Sequence, residues 1–161
     1  MSRQTPGTQL LHRLGVAFEL HAYDYDAASG RIGLHAARAL GVDAGRVFKT
    51  LMVSLDGRGG CIVLPSDREA SLKKVARAFG VHTARMMTKV EAERASGYVI
   101  GGVSPFGQRR RVPVIFDSAV LEHERIFINA GRRGLLAELS PAAAIEACAA
   151  RTAAITQGGE G

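Results

Sequence analysis

Residues 46–65 read RVFKTLMVSLDGRGGCIVLP. Two runs rich in branched and apolar residues flank Asp56-Gly57 and Gly59-Gly60, and glycine-bearing pairs between such runs signal a β-hairpin. Strands are expected over residues 46–54 and 60–65. Alternate residues of a strand share a face, so Val47, Lys49, Leu51 and Val53 point one way, and Phe48, Thr50, Met52 and Ser54 the other. Lys49 is the anomaly. A buried, unpaired ammonium among aliphatics costs several kcal/mol. Either its stem packs on the aliphatics while the amine reaches water, or the ammonium lines a cleft and meets an anion or a carbonyl oxygen.

Working outward, Thr5-Pro6 opens a helix that Gly15 ends, with Thr5 as N-cap and Pro6 in the first turn. Residues 16–23, VAFELHAY, alternate as a strand does, 24–33 read as a loop, and Ala36, Ala37 and Leu40 suit a short helix stopping at Gly41. After the hairpin, Asp67 is the expected cap of a helix whose Leu72, Val75, Ala76 and Phe79 recur at helical spacing. Thr88 and Glu91 form a capping-box pattern, with Gly97 as the stop. Residues 112–117 and 125–129 read as strands, and Ser140-Pro141 starts an Ala-rich helix to about Arg151. Helices and strands mix without a steady βαβ rhythm, which predicts an α+β fold with a mixed, mostly antiparallel sheet. One domain is expected over 1–155, with a disordered tail from Thr156.

The chain has 161 residues, 47% of them hydrophobic, enough for one core. Lys and Arg number 21 against 15 acidic residues, a net charge of +6; a basic surface favours a polyanionic partner, nucleic acid foremost. Cys61 and Cys148 stand far apart without Cys/His ligand spacing, so neither a zinc site nor a disulfide framework is expected. No signal peptide or membrane span is read, and the expectation is a cytoplasmic protein without metal or cofactor.

Two further stretches stand out. Residues 101–107, GGVSPFG, precede Arg109, Arg110 and Arg111. Glycines let backbone amides approach a ligand closely, and such loops bind anions or carbonyl oxygens; a Gly-Pro turn followed by a solvated arginine run reads equally well. Residues 131–134, GRRG, are either a phosphate contact or a tight turn. No nucleophile elbow or zincin motif occurs, the five histidines are scattered, and both cysteines read as core residues. Any catalysis would rest on positioning and on hydrogen bonds to a developing oxyanion.

Taken together, VFKTLMV, SLKKVARAFG, SGYVIGGVSPFGQRRRVPVIFD and AGRRGLLAEL resemble the YbaK/EbsC family of trans-editing aminoacyl-tRNA deacylases, related to the editing insertion domain of bacterial prolyl-tRNA synthetase. The resemblance spans about residues 5–150 as a set of motifs. It implies a sheet curled into a partial barrel with helices outside, and hydrolysis of a mischarged aminoacyl ester, with cysteine's own thiol attacking the carbonyl or, for other small amino acids, the terminal ribose hydroxyl used instead. It implies the tRNA acceptor end and a prolyl-tRNA synthetase as partners. It places Lys49 at the acceptor end and Gly101 and Pro105 in the catalytic loop. Tyr23, Phe48, Thr50, Gly102, Ser104, Gly131 and Arg132 are the implied substrate-binding residues. Cysteine-specific members carry an aspartate where this chain has Leu136, and Ser-Gly-Gly in place of Asn129, Ala130 and Gly131. A non-catalytic tRNA- or synthetase-binding module on the same fold is the alternative, and a small-molecule pocket protein a third.

Overall fold

In the computed structural model, which describes residues 3–26 and 31–158, Asp56 and Gly57 form the whole turn of the hairpin. Both have positive φ, 50° and 86°, the left-handed pair that matches strand twist in a two-residue connection. The strands are β2 (Val47–Leu55) and β3 (Arg58–Pro65). Gly59-Gly60 therefore belong to β3 and not to the turn; a Cβ on Gly60 would lie 2.4 Å from Leu55 Cδ1. The Asp56 carboxylate accepts the amides of His82 and Thr83 at 3.1 and 2.9 Å, and these bonds draw its pKa down to about 2.

The other strands are β1 (Glu19–Ala22), β4 (Ala84–Met86), β5 (Val114–Asp117), β6 (Ile126–Arg132), β7 (Leu135–Leu139) and β8 (Arg151–Ala153). The helices are α1 (Pro6–Arg13), α2 (Ile32–Leu40), α3 (Leu72–Phe79), α4 (Lys89–Ser96) and α5 (Pro141–Ala147). The eight strands make one mixed sheet in the order β1-β7-β6-β2-β3-β5-β8, with β4 on β2. The pairs β1·β7, β2·β3, β2·β4 and β6·β7 are antiparallel; β2·β6, β3·β5 and β5·β8 are parallel. The α+β expectation holds.

One feature of the pairing positions the site. β3 accompanies β2 along its length, while the opposite edge of β2 is shared. β6 pairs with Val47 and Phe48, and β4 with Val53, Ser54 and Leu55. Among the described residues, no strand lies on that edge at Lys49, Thr50 and Leu51. The sheet forks there, because β6 bulges between Asn129 and Arg132 and leaves the register of β2.

The core divides over the two faces. Phe48, Met52, Cys61, Phe106, Phe116, Ile128 and Leu135 form the larger cluster; Val53, Ile62, Leu64, Val75 and Ile155 pack around α3; Ala36, Ala37, Val47, Phe127 and Leu136 pack around α2. Thr5 and Thr88 cap α1 and α4 as expected, Thr8 and Glu91 completing their capping boxes. Several boundaries differ. Ser71, not Asp67, caps α3, its hydroxyl accepting the Lys74 amide at 3.2 Å. The strand within 16–23 shrinks to Glu19–Ala22, and that within 112–117 starts at Val114. The last helix stops at Ala147, and Arg151 starts β8. Thr156, placed in the tail by the sequence reading, is buried and bridges Ala70, and the Gln157 amide donates to Glu69 O at 2.8 Å; residues 159–161 lie outside the described residues. Among those described, no helix is long and apolar enough to cross a membrane.

Candidate active site

The fork in the sheet is the mouth of a cleft of about 350 Å3, within the range of small-ligand sites. Five consecutive residues of β2, Val47 to Leu51, line it. Consecutive residues share a lining because the cleft opens along the unpaired edge rather than on one face. That is how Lys49 and Thr50, opposite in the pleat, reach the same space. α2 and its N-cap contribute Ile32, Ala36 and the cationic Arg31, the loop after α4 contributes Ile100, Gly101 and Val103, and Tyr23, Ser66, Glu69, Asn129 and Leu136 also line it.

Both readings of Lys49 are partly realised. Its side chain is 24% exposed, and its ammonium lies 3.8 Å from a Glu69 carboxylate that is itself 72% exposed. An exposed pair at that distance is worth at most about 1 kcal/mol, so it is readily exchanged for a bound anion. Two hydroxyls in the same cleft, Tyr23 OH and Thr50 Oγ1, are buried without a hydrogen-bond partner. Each such group costs about 1–3 kcal/mol, and convergent polar atoms on an apolar wall mark where a ligand is held. Burial, then the neighbouring Tyr25, raises the Tyr23 pKa, so the phenol stays protonated and can donate.

The loop behind the cleft is fixed from several sides. Gly101 (φ +92°) faces Tyr25, whose hydroxyl would lie 2.6 Å from an added Cβ. Gly102 donates its amide to Val99 O at 2.8 Å, and a Cβ there would stand 2.8 Å from the Arg133 nitrogen; the loop lies backbone against backbone on the 131–134 turn. Glu93 accepts the Ile100 amide at 2.9 Å and Arg133 Nε donates to Ile100 O at 2.9 Å. The Tyr98 hydroxyl donates to Phe106 O at 2.5 Å, from a buried phenol whose pKa desolvation pushes up to about 12. Asn129 ties the two segments together. Its Nδ2 donates to Gly101 O and Arg132 O, both at 3.1 Å, and its Oδ1 accepts the amides of Gly131 at 2.7 Å and Arg132 at 3.1 Å.

Of the residues singled out from sequence, Tyr23, Phe48, Lys49, Thr50 and Gly101 meet in the cleft. Gly102, Ser104, Pro105, Gly131 and Arg132 do not line it; they build its support. Phe48 is 2% exposed and its ring packs edge-on to His123, so it serves mainly the core. Ser104 is fully buried and its Oγ accepts the Phe106 amide at 3.1 Å, a turn-forming role. Pro105 is buried and faces a second hollow. Gly131 (φ +113°) packs on Thr5 and Tyr98. Asn129 stands out in the sequence only as a departure from the family's Ser-Gly-Gly; an Asn two residues before a Gly, an Asx-turn pattern, is the physical signal of its role.

Glu19, His21 and Glu138 bring ligand atoms within 4.8 Å of one another, on the β1–β7 ladder. They do not suit a cation, because Arg125 Nε donates to Glu138 at 3.1 Å and Arg46 stands 3.8 Å away. Burial alone would raise the Glu138 pKa, but the hydrogen bonds from His21 and Arg125 outweigh it and hold the carboxyl below its ordinary range. Cys61 is wholly buried and desolvation pushes its thiol up to about 12; burial raises Cys148 as well. Neither lines the cleft. A thiol without thiolate character is inert, so Cys61→Ala is expected to leave the rate of any reaction in the cleft unchanged, measured beside the parent protein.

The aminoacyl-tRNA editing domain family matches residues 34–147. A protein of Enterococcus faecalis, provisionally named as the Cys-tRNA(Pro)/Cys-tRNA(Cys) deacylase EbsC, is 34% identical over 121 residues, covering 74% of each chain. A proline–tRNA ligase of Shouchella clausii is 33% identical over 99 residues, 62% of this chain but only 17% of the ligase. The solved structure of a protein provisionally described as a trans-editing enzyme for prolyl tRNA synthetase superposes with a TM-score of 0.84 at 22% identity, covering 98% of this chain and all of that one. The mixed sheet and its cleft are thus those of an aminoacyl-tRNA editing domain. The chain belongs to the aminoacyl-tRNA editing domain family, of the YbaK/EbsC type.

Proposed function

We propose that the protein acts in trans on mischarged aminoacyl-tRNA, hydrolysing the ester between a small amino acid and the terminal ribose, with Cys-tRNA(Pro) as the foremost substrate. The observation that carries this reading is the grouping of the Lys49 ammonium with the unpartnered hydroxyls of Tyr23 and Thr50 in one small, largely apolar cleft. Lys49 holds a phosphate or sugar oxygen of the 3′ end. The backbone around Gly101 fixes and polarises the ester carbonyl. Leu136, 3% exposed, replaces a carboxylate with an aliphatic wall, which suits a thiol or methyl side chain better than a charged one.

The cleft offers no Ser/His or Cys/His pair among the described residues, so the reaction draws on a group of the substrate itself, the cysteine thiol or a ribose hydroxyl. For cysteine, the thiol sulfur bonds to the ester carbonyl carbon and the carbon–ribose oxygen bond breaks. The thiol proton ends on the ribose oxygen, leaving a thiolactone that water opens. For other small residues, a ribose hydroxyl orients the attacking water. A prolyl-tRNA synthetase is the fitting partner, supplying the tRNA choice that so small a cleft lacks. The test is a deacylation panel of tRNA(Pro) charged with cysteine, alanine and proline. Faster ester loss from Cys-tRNA(Pro) than from Pro-tRNA(Pro) is expected. Tight tRNA binding with no ester loss on any member would instead establish the non-catalytic module.

A further inference from the structure

A second hollow, of about 400 Å3, shares no lining residue with the first. Its walls come from α1 and its C-cap (Leu10, Arg13, Leu14), from within residues 105–114, and from the end of α5 and its C-cap (Glu146 to Cys148). The loop after α4 is therefore a partition. Ile100, Gly101 and Val103 face the cleft, while Pro105, Gly107 and Gln108 face the hollow. Three arginines stand around it, Arg13, Arg110 and Arg111, all exposed, against the single carboxylate of Glu146. The loop packs closely here: a Cβ on Gly107 would lie 2.5 Å from Pro6 O, and Gln108 Nε2 donates to Ser104 O at 3.0 Å.

We propose that this hollow is a second RNA site, which takes the phosphodiester backbone of the same tRNA whose charged end enters the cleft. The inference rests on the tRNA-hydrolase reading. Three guanidiniums around a concave surface, with the apolar Leu10, Leu14 and Val112 between them, suit ribose–phosphate better than a free inorganic anion, because guanidinium forks pair with phosphate oxygens while the aliphatics cover sugar faces. The spacing agrees. Six peptide units separate Gly101 from Gly107, so these two wall residues lie at most about 22 Å apart, a reach of a few nucleotides. Of the three arginines that follow the 101–107 loop, Arg110 and Arg111 thus acquire a place, with Arg13 brought to them from α1, while Arg109 donates to Arg94 O.

The experiment compares the parent, the triple variant Arg13→Ala/Arg110→Ala/Arg111→Ala, and a control triple Arg58→Ala/Lys73→Ala/Arg77→Ala at exposed positions that removes equal charge. Uncharged tRNA(Pro) affinity is measured across a salt series, and hydrolysis is measured on charged tRNA(Pro) and on a short 3′-aminoacyl-adenosine. For the hollow triple, tRNA affinity is expected to fall at least about tenfold near 0.1 M salt, with the log–log salt slope shallower by about two to three, one phosphate counting roughly 0.9. KM for charged tRNA rises, while turnover of the short ester is unchanged. Unchanged affinity and slope in the hollow triple would overturn the proposal, as would an equal loss in the control, which makes the effect one of net charge. Loss of prolyl-tRNA synthetase binding with tRNA affinity intact would also overturn it, assigning the hollow to a protein. Since tRNA binding is read without any ester, a protein that binds through the hollow yet deacylates nothing would sink the enzymatic reading and leave this one standing.

Discussion

Lys49→Ala is expected to reduce kcat/KM for Cys-tRNA(Pro) by about one to two orders of magnitude while the protein stays folded. The size follows from the chemistry. A charge-assisted hydrogen bond to a phosphate or sugar oxygen in a partly dry site contributes about 1.5–3 kcal/mol, each 1.4 kcal/mol being tenfold. Stability should hold because the β2–β3 ladder at Lys49↔Leu64 is backbone-made, and the side chain's one ionic contact is a 3.8 Å approach to exposed Glu69. Removing a half-buried charge from an aliphatic wall is neutral or stabilising. Thermal melting beside single-turnover deacylation separates the two effects. Parent-like turnover in a well-folded Lys49→Ala protein would remove Lys49 from the mechanism. Lys49→Arg should recover only part of the rate, since a planar fork does not reproduce a point charge.

Asn129→Ala should damage both stability and rate, and the rate more. Its side chain satisfies two amides and two carbonyls, and buried groups left unpaired cost about 1–3 kcal/mol each before relaxation. With water reaching some of them at this half-buried position, a net loss of about 2–4 kcal/mol is expected, or roughly 5–15 °C in Tm at about 2–4 °C per kcal/mol for a chain of this size. The kinetic signature is specific to positioning. With Gly101 released from the 131–134 turn, kcat should drop at least tenfold while KM changes little, the pattern of an interaction realised in the transition state. Asn129→Asp keeps the acceptor for the Gly131 and Arg132 amides but turns carboxylate lone pairs toward two carbonyls, so it should be no better than alanine. A variant that melts earlier yet turns over normally below its Tm would reduce Asn129 to a structural brace.

The parts of the fold legible in the sequence are those encoded locally. Asp56-Gly57 needs left-handed φ twice, Thr5 and Thr88 cap the helices they precede, and Lys49 breaks an apolar strand pattern. The rest depends on contacts between distant segments. β4 and β8 have three residues each, too short for any period to show. Leu135–Leu139 is a near-continuous apolar run, ambiguous between helix and strand until β1 and β6 flank it. Asp67 is as good an N-cap by composition as Ser71, and the choice is made where the Ser71 amide bonds Ile155 O. The cleft followed the same division. Lys49 and Gly101 stand out by residue type, whereas the clamp at Asn129 and the grouping of Tyr23 with Thr50 exist only once the sheet has forked.

The order of the strands carries a consequence for the newborn chain. β1 is made early, but its partner is β7, with Glu19 opposite Glu138. At ribosomal speeds of about 5–20 residues per second, that partner arrives on the order of ten seconds later. Until then the first strand has no ladder to join, and the β2–β3 hairpin, whose pairing is entirely local, is the earliest surface on which the remainder can condense. A stalled or truncated nascent chain lacking β7 would expose an unzipped edge, and shielding that edge falls to whatever meets the chain at the tunnel exit.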